Sequence, residues 1–230
     1  MKPLRMFALA VALTSGAAFI SACESPTLPP RSTTDVYDFR LRSDTFHIFH
    51  WPAGTDVRVF IYATKPARVD SMAASFERGA AMWNAYSLFG EYQLVRAQTI
   101  DEADVVVRWS DDLAPVDDSE CSPTFSSGVT TFCIDDLDAT PLRLATFPPL
   151  PAAPGAEGVK MLVTILASQA TIPGRIDRLL AHELGHVLGI GQHSLNRNDL
   201  MYGDPVVDVL SRRDIATVQV LYHTTADVFP

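Results

Sequence analysis

Positive charge is scarce in this chain. Its 230 residues hold 18 Lys and Arg against 27 Asp and Glu, a formal net charge of −9. No basic surface able to track a phosphate backbone can be built from so few, which excludes nucleic acid as a partner. Cysteine is scarcer, three residues with no CxxC spacing, and this argues against a metal site made of thiolates. Long apolar runs are missing too. The run from Met6 to Ile20 falls short of the roughly 20 residues that span a bilayer. No internal repeat is visible. What is present is a 47% hydrophobic composition, sufficient to bury one sizeable domain, with room for two lobes around a cleft.

Histidine and glutamate gather in one place, HELGHVLGIGQHS, His182 to Ser194. On an α-helix, positions i and i+4 share a face, so His182 and His186 can point at one metal ion, with Glu183 beside them. A catalytic zinc needs a third protein ligand and one open position for water. His193 is the candidate. To deliver it the chain must leave the helix and turn back, and Gly189 and Gly191 stand where residues tolerating positive φ are needed.

The pattern resembles the metzincin metallopeptidases, and among them the matrixin-like branch, whose signature is HExxHxxGxxH followed by a turn containing methionine. Counted from His182, the strict third position is Gln192, and His193 follows it. His193 is assigned because imidazole is a better zinc ligand than an amide. Gln192 stays as the alternative. In HSLNRNDLMY, Met201 is similar to the Met-turn residue that forms an apolar floor under the metal, and Tyr202 is expected to be structural. The stretches AAMWNAY, ADVVVRW, the histidine motif, DLMY and SRRDIATVQVLY follow the order used by matrixin-like domains, so the resemblance spans about residues 51 to 223. It implies a metzincin-like α+β fold: a mixed twisted sheet with two long helices in an upper half, a zinc cleft, and a Met-turn with a C-terminal helix in a lower half. It also implies endopeptidase activity on a protein or peptide held against an edge strand by β-augmentation. No histidine occurs between His50 and His182, so the second, structural zinc of many matrixins is not expected. His47, His50 and His223 read as packing or surface residues.

Periodicity agrees with that outline. WPAGTDVRVFIYA alternates as a strand around Val57, Val59 and Ile61, and Ser71 to Phe89 places Met72, Phe76, Ala80 and Trp83 at helical spacing. YQLVRAQ and ADVVVRW read as strands, the second buried on both faces. GVTTFCI, LRLATF and VKMLVTIL are candidates to complete the sheet, with the edge strand left open. In IPGRIDRLLAHELGHVLGI, the residues Ile176, Leu179, Leu180, Leu184, Val187 and Leu188 form one apolar face. LSRRDIATVQVLY reads as a terminal helix with Ser211 and Asp214 as a capping box.

The N-terminus reads as an export signal. Lys2 and Arg5 precede an apolar h-region, and Ile20-Ser21-Ala22-Cys23 resembles a bacterial lipobox. The expected division is a lipoprotein signal peptide over 1–22, a tether over 23–45 that includes the Pro-, Ser- and Thr-rich ESPTLPPRSTTD, and a catalytic domain over 46–230. Lipid on Cys23 would hold an exported protein on a membrane of the bacterial cell envelope. Cys121 and Cys133 are then an even pair in an exported chain, expected as a disulfide. The only cysteine upstream of the domain is spent in the lipobox, so no cysteine-switch zymogen is expected. The acidic clusters Asp111, Asp112, Asp117, Asp118 and Asp135, Asp136, Asp138 are candidate calcium ligands or solvated loops.

The expected chemistry has zinc on His182, His186 and His193, with Glu183 as general base and then acid. Two other readings compete: a surface lipoprotein that binds a partner and keeps a non-catalytic zinc, and a hydrolase of non-peptide amides.

Overall fold

The structure, a computed structural model, describes residues 35–41, 46–62, 66–110, 127–147 and 158–230. The signal peptide, Cys23, Cys121 and the acidic cluster at 111–118 lie outside the described residues. The described residues form an α+β fold, with a mixed sheet and three α-helices among them.

Five strands form the main sheet: β1 (Thr55–Tyr62), β2 (Tyr92–Arg96), β3 (Val105–Ser110), β4 (Gly128–Thr131) and β6 (Met161–Leu166), in the order β2-β1-β3-β6-β4. Neighbours β2-β1-β3-β6 are parallel and β4 joins β6 antiparallel. The edge left open by periodicity is therefore GVTT, while VKMLVTIL supplies an interior strand. LRLATF does not complete this sheet. Its β5 (Leu142–Arg143) pairs with the C-terminal β7 (Val228–Phe229) in a separate two-stranded sheet.

Alternation sorts the strand residues between two apolar layers. Val57, Val59 and Ile61 of β1, Val105 and Val107 of β3, and Met161, Val163 and Ile165 of β6 face the main core. Val106 and Leu162 face a smaller cluster with Ala97, Ala103, Phe147 and Val159. The ADVVVRW strand is thus buried on both faces, as its unbroken valines require. Two helices cover the main face, α1 (Pro66–Asn84) and α2 (Arg175–Val187).

Helix α1 begins and ends about five residues earlier than its apolar spacing predicts. Proline suits the first helical turn, where its missing N–H has no partner to lose. At the other end the Asn84 amide pairs with β2 as a strand would: Nδ2 donates to the Leu94 carbonyl (2.9 Å) and Oδ1 accepts from the Leu94 N–H (2.9 Å). Gly79 lets α1 approach α2, since a Cβ there would meet Leu184 Cδ1 at 3.0 Å and Ala181 Cα at 3.2 Å. Trp83 closes the contact by donating from Nε1 to the Ala181 carbonyl (2.8 Å).

The third helix, α3 (Arg212–Tyr222), starts on the capping box its sequence announces. The Ser211 side chain accepts from the N–H groups of Arg213 and Asp214, and the Asp214 side chain accepts from the Ser211 N–H. Residues 35–41 fall in the range expected as tether, yet Tyr37 and Leu41 are buried in the main core. No helix among the described residues is long and apolar enough to cross a membrane.

Candidate metal centre

Helix α2 buries its apolar stripe and turns His182, Glu183 and His186 toward a cleft. Ile176, Leu179, Leu180, Leu184, Val187 and Leu188 are all buried. The helix stops after Val187 because Gly189 takes φ 109°. No side chain fits there: a Cβ on Gly189 would lie 2.1 Å from the Phe49 carbonyl oxygen.

The turn expected to need positive φ at both glycines needs it at Gly189 alone, since Gly191 is not among the positive-φ residues. Gly191 answers to a different demand. A Cβ on it would stand 2.2 Å from the Arg40 carbonyl oxygen and 2.5 Å from Leu41 Cα, so a passing backbone occupies that space. Next to it, Gln192 donates from Nε2 to the Arg40 carbonyl (3.2 Å). The amide is turned to the N-terminal segment, and His193 is the residue brought to the other two histidines.

Nε2 of His186 lies 3.2 Å from Nε2 of His182 and 3.2 Å from Nε2 of His193. Among the described residues these three side chains form the one group of His, Cys, Asp or Glu whose donor atoms come close enough to hold a metal ion, all within 4.8 Å. The outer nitrogens explain the orientation. His182 Nδ1 faces the Leu200 carbonyl (2.8 Å) and His186 Nδ1 faces the Ile190 carbonyl (2.5 Å). A carbonyl only accepts, so the proton sits on Nδ1 and each Nε2 presents a lone pair to the cluster. Lone pairs brought this close repel unless a cation lies among them. Nitrogens bound tetrahedrally at 2.0–2.1 Å to one zinc ion stand about 3.4 Å apart, close to the spacing found. The residues therefore fit a metal ion.

Burial keeps the rings neutral, the state a ligand needs. It lowers His182 to about 3, with the Leu200 hydrogen bond opposing, and it holds His186 well below its usual range, helped by the two neighbouring rings. His193, on the exposed side of the cluster, is lowered by burial as well. Burial has the opposite effect on Glu183, raising its carboxyl to about 7 against a hydrogen bond from Thr130. That bond, from Thr130 Oγ1 to Glu183 Oε2 at 2.7 Å, ties the helix to the edge strand β4. Gly128 makes room for it, because a Cβ there would lie 2.7 Å from Glu183 Oε1.

The cleft has a volume of about 530 Å³ and runs between β4 and the loop after Met201. Gly128 to Thr130, Leu179, the three histidines, Glu183 and Asp204 line it, together with Arg175, whose guanidinium is held by the Pro205 carbonyl (2.9 Å) and by Asp204. Met201 is fully buried and packs on Gly185, where a Cβ would lie 2.3 Å from its sulfur. Tyr202, one residue on, is half-buried.

Beneath the rings lies a polar frame that periodicity did not reveal. Asp214, read as a cap alone, also accepts from the N–H groups of Leu200 (2.8 Å) and Met201 (3.3 Å). It fixes the turn whose carbonyl orients His182. Asp199 accepts from Ser194 Oγ and from Arg213 Nε (3.0 Å), pinning the chain just after His193. Asp199 and Asp214 are 1% and 0% exposed, and each stands within a motif that local pattern assigns to a turn or a cap. Thr130 carried no signal at all.

Other candidate residues lie elsewhere. Cys133 packs beside the smaller apolar cluster, and its expected partner Cys121 is outside the described residues. Asp135, Asp136 and Asp138 are exposed, with the Asp138 N–H donating to Asp136 Oδ1 (2.9 Å). His47 faces Asp227 (2.9 Å), and His50 lies between the carbonyls of Trp51 and Thr224. No protein-family model matches the chain, and no curated protein matches it in sequence.

Proposed function

We propose that this protein is a zinc-dependent endopeptidase of the matrixin-like metzincin kind. One observation carries the reading: three neutral imidazoles converge through Nε2, with a buried carboxyl group on the helix that bears two of them, in a cleft bordered by a sheet edge. A purely structural site calls for a fourth protein ligand and has no use for Glu183.

Zinc in this site supplies a Lewis acid that polarises the scissile carbonyl and acidifies water. The protein does the rest. Edge strand β4 pairs with β6 on one side, and its residues line the cleft, where an extended peptide gains main-chain hydrogen bonds independent of its sequence. Thr130 holds Oε2 of Glu183, and Oε1 takes the proton from the attacking water. A carboxyl raised to about 7 holds that proton near neutral pH and returns it to the departing amine nitrogen. Leu200 and Ile190 keep the two helical histidines in the tautomer that presents Nε2.

Three further features rest on sequence pattern and belong to the same proposal: export, a lipid anchor on Cys23, and a disulfide between Cys121 and Cys133. Digestion of casein or a peptide library provides the test. The protein with zinc is expected to cleave in a chelator-sensitive way, and Glu183→Ala to retain zinc while losing about 10²- to 10⁴-fold in rate, the size of general-base effects. Cleavage by Glu183→Ala at a rate near the parent's defeats the assignment.

A further inference from the structure

A short segment ahead of the first strand is held at four points by the elements that flank the candidate metal centre. The Tyr37 N–H donates to Thr217 Oγ1 (3.3 Å), and the Tyr37 hydroxyl donates to Asp214 Oδ1 (2.8 Å), both across about 180 residues of sequence. Two residues later the Phe39 carbonyl accepts from the Gly191 N–H (3.0 Å), and the Arg40 carbonyl accepts from Gln192 Nε2 (3.2 Å). Gly191 and Gln192 immediately precede His193. The Arg213 guanidinium, which holds Asp199, lies 5.8 Å from the centre of the Tyr37 ring.

Followed inward, these contacts end on the imidazoles. Asp214 Oδ1 accepts from the Tyr37 hydroxyl and, more weakly, from the Met201 N–H; Oδ2 accepts from the N–H groups of Leu200 and Ser211. Leu200 in turn presents its carbonyl to His182 Nδ1 at 2.8 Å. Tyr37 is 8% exposed, and burial together with Asp214 holds its phenol far above the usual range, so it stays a donor. A fully buried carboxylate needs every donor it has, because each one lost leaves charge unsolvated.

We infer that the strap Tyr37–Leu41 completes the metal centre, with Tyr37 a positioning residue that sets the His182 ring through Asp214 and the Leu200 carbonyl. This rests on reading the three histidines as metal ligands. It assigns a task to a segment that resembles linker in sequence and touches no ligand directly. The backbone contacts at Phe39 and Arg40 act in parallel on the loop that delivers His193.

The test uses the full chain and metal alone. Zinc affinity is measured by chelator competition, and Co²⁺ is bound in its place to record the ligand-field spectrum, for the parent, Tyr37→Phe and, as control, Tyr62→Phe. Tyr62 borders the smaller apolar cluster on the far face of the sheet. Tyr37→Phe is expected to weaken zinc binding about tenfold, the lower end of what loss of an outer-sphere partner costs, and to shift the cobalt spectrum, while Tyr62→Phe does neither. A merely structural role for Tyr37 lowers the metal-free melting temperature and leaves both metal readouts at the parent's values, and that result overturns the inference. If the parent itself binds neither zinc nor cobalt, the metal-site reading falls and the inference falls with it.

Discussion

The sheet with its two helices and the segment from Leu188 to Ser211 are stabilised in different ways. In the first, Val105, Val107, Met161, Val163 and Ile165 are fully buried in one continuous apolar layer, and neighbours share the burden of any one side chain. In the second, helix and strand are absent but for one bridge between Ser194 and Tyr202; Leu188, Ile190, Leu200 and Met201 anchor it in the same core, and between those anchors position depends on single polar contacts and close backbone approaches. His182 depends on one carbonyl, the chain after His193 on Ser194 and Asp199, and the turn before it on the absence of a side chain at Gly191. An apolar frame loses stability gradually when altered. A polar loop loses geometry at once, and the candidate metal centre sits where the two meet.

Three substitutions separate these regimes. The largest effect is expected for Gly191→Ala, whose new Cβ meets backbone at 2.2 Å and finds nothing flexible to displace. It should cost about 3 kcal/mol, the upper part of the overpacking range, and abolish stoichiometric zinc binding, as read by thermal melting and metal analysis. Next comes Leu162→Ala in the frame, a fully buried side chain on the far face of β6, expected to cost about 2–3 kcal/mol in denaturant titration while zinc affinity stays at the parent's value. Smallest is Ser194→Ala, which removes the hydrogen bond to buried Asp199 and the one that Ser194 Oγ accepts from the Asn196 N–H (3.1 Å); about 1–2 kcal/mol is expected, with zinc affinity reduced in the same sample. Zinc affinity falling for Leu162→Ala in step with stability, or unchanged for Gly191→Ala, would dissolve the distinction between frame and loop.

The same division marks what the sequence made legible. Local rules announce the valines of β3, the apolar stripe of α2, the i, i+4 histidines and the Ser211–Asp214 box, because each is written within a few residues. The antiparallel edge at β4 and the pairing of β5 with β7 depend on partners far along the chain, and periodicity carries no information about them. Asp214 illustrates the limit. Its role as N3 of α3 follows from spacing, whereas its bonds to Tyr37, Leu200 and Met201 arise only once the chain closes on itself. At Gly191 the local pattern points to backbone torsion, whereas the cause is the passage of Arg40 and Leu41. Ligand chemistry already favours His193 over Gln192; the contact of the Gln192 amide with the Arg40 carbonyl, about 150 residues away, has no signature in the local pattern.

Thr130 joins the edge strand to the carboxylate of Glu183 through a single hydroxyl. Under the proposed function, the strand that would bind a polypeptide and the group that would move its proton are fastened together. The distance from the edge strand to that acid is therefore set by one hydrogen bond of 2.7 Å rather than by the packing of the cleft walls.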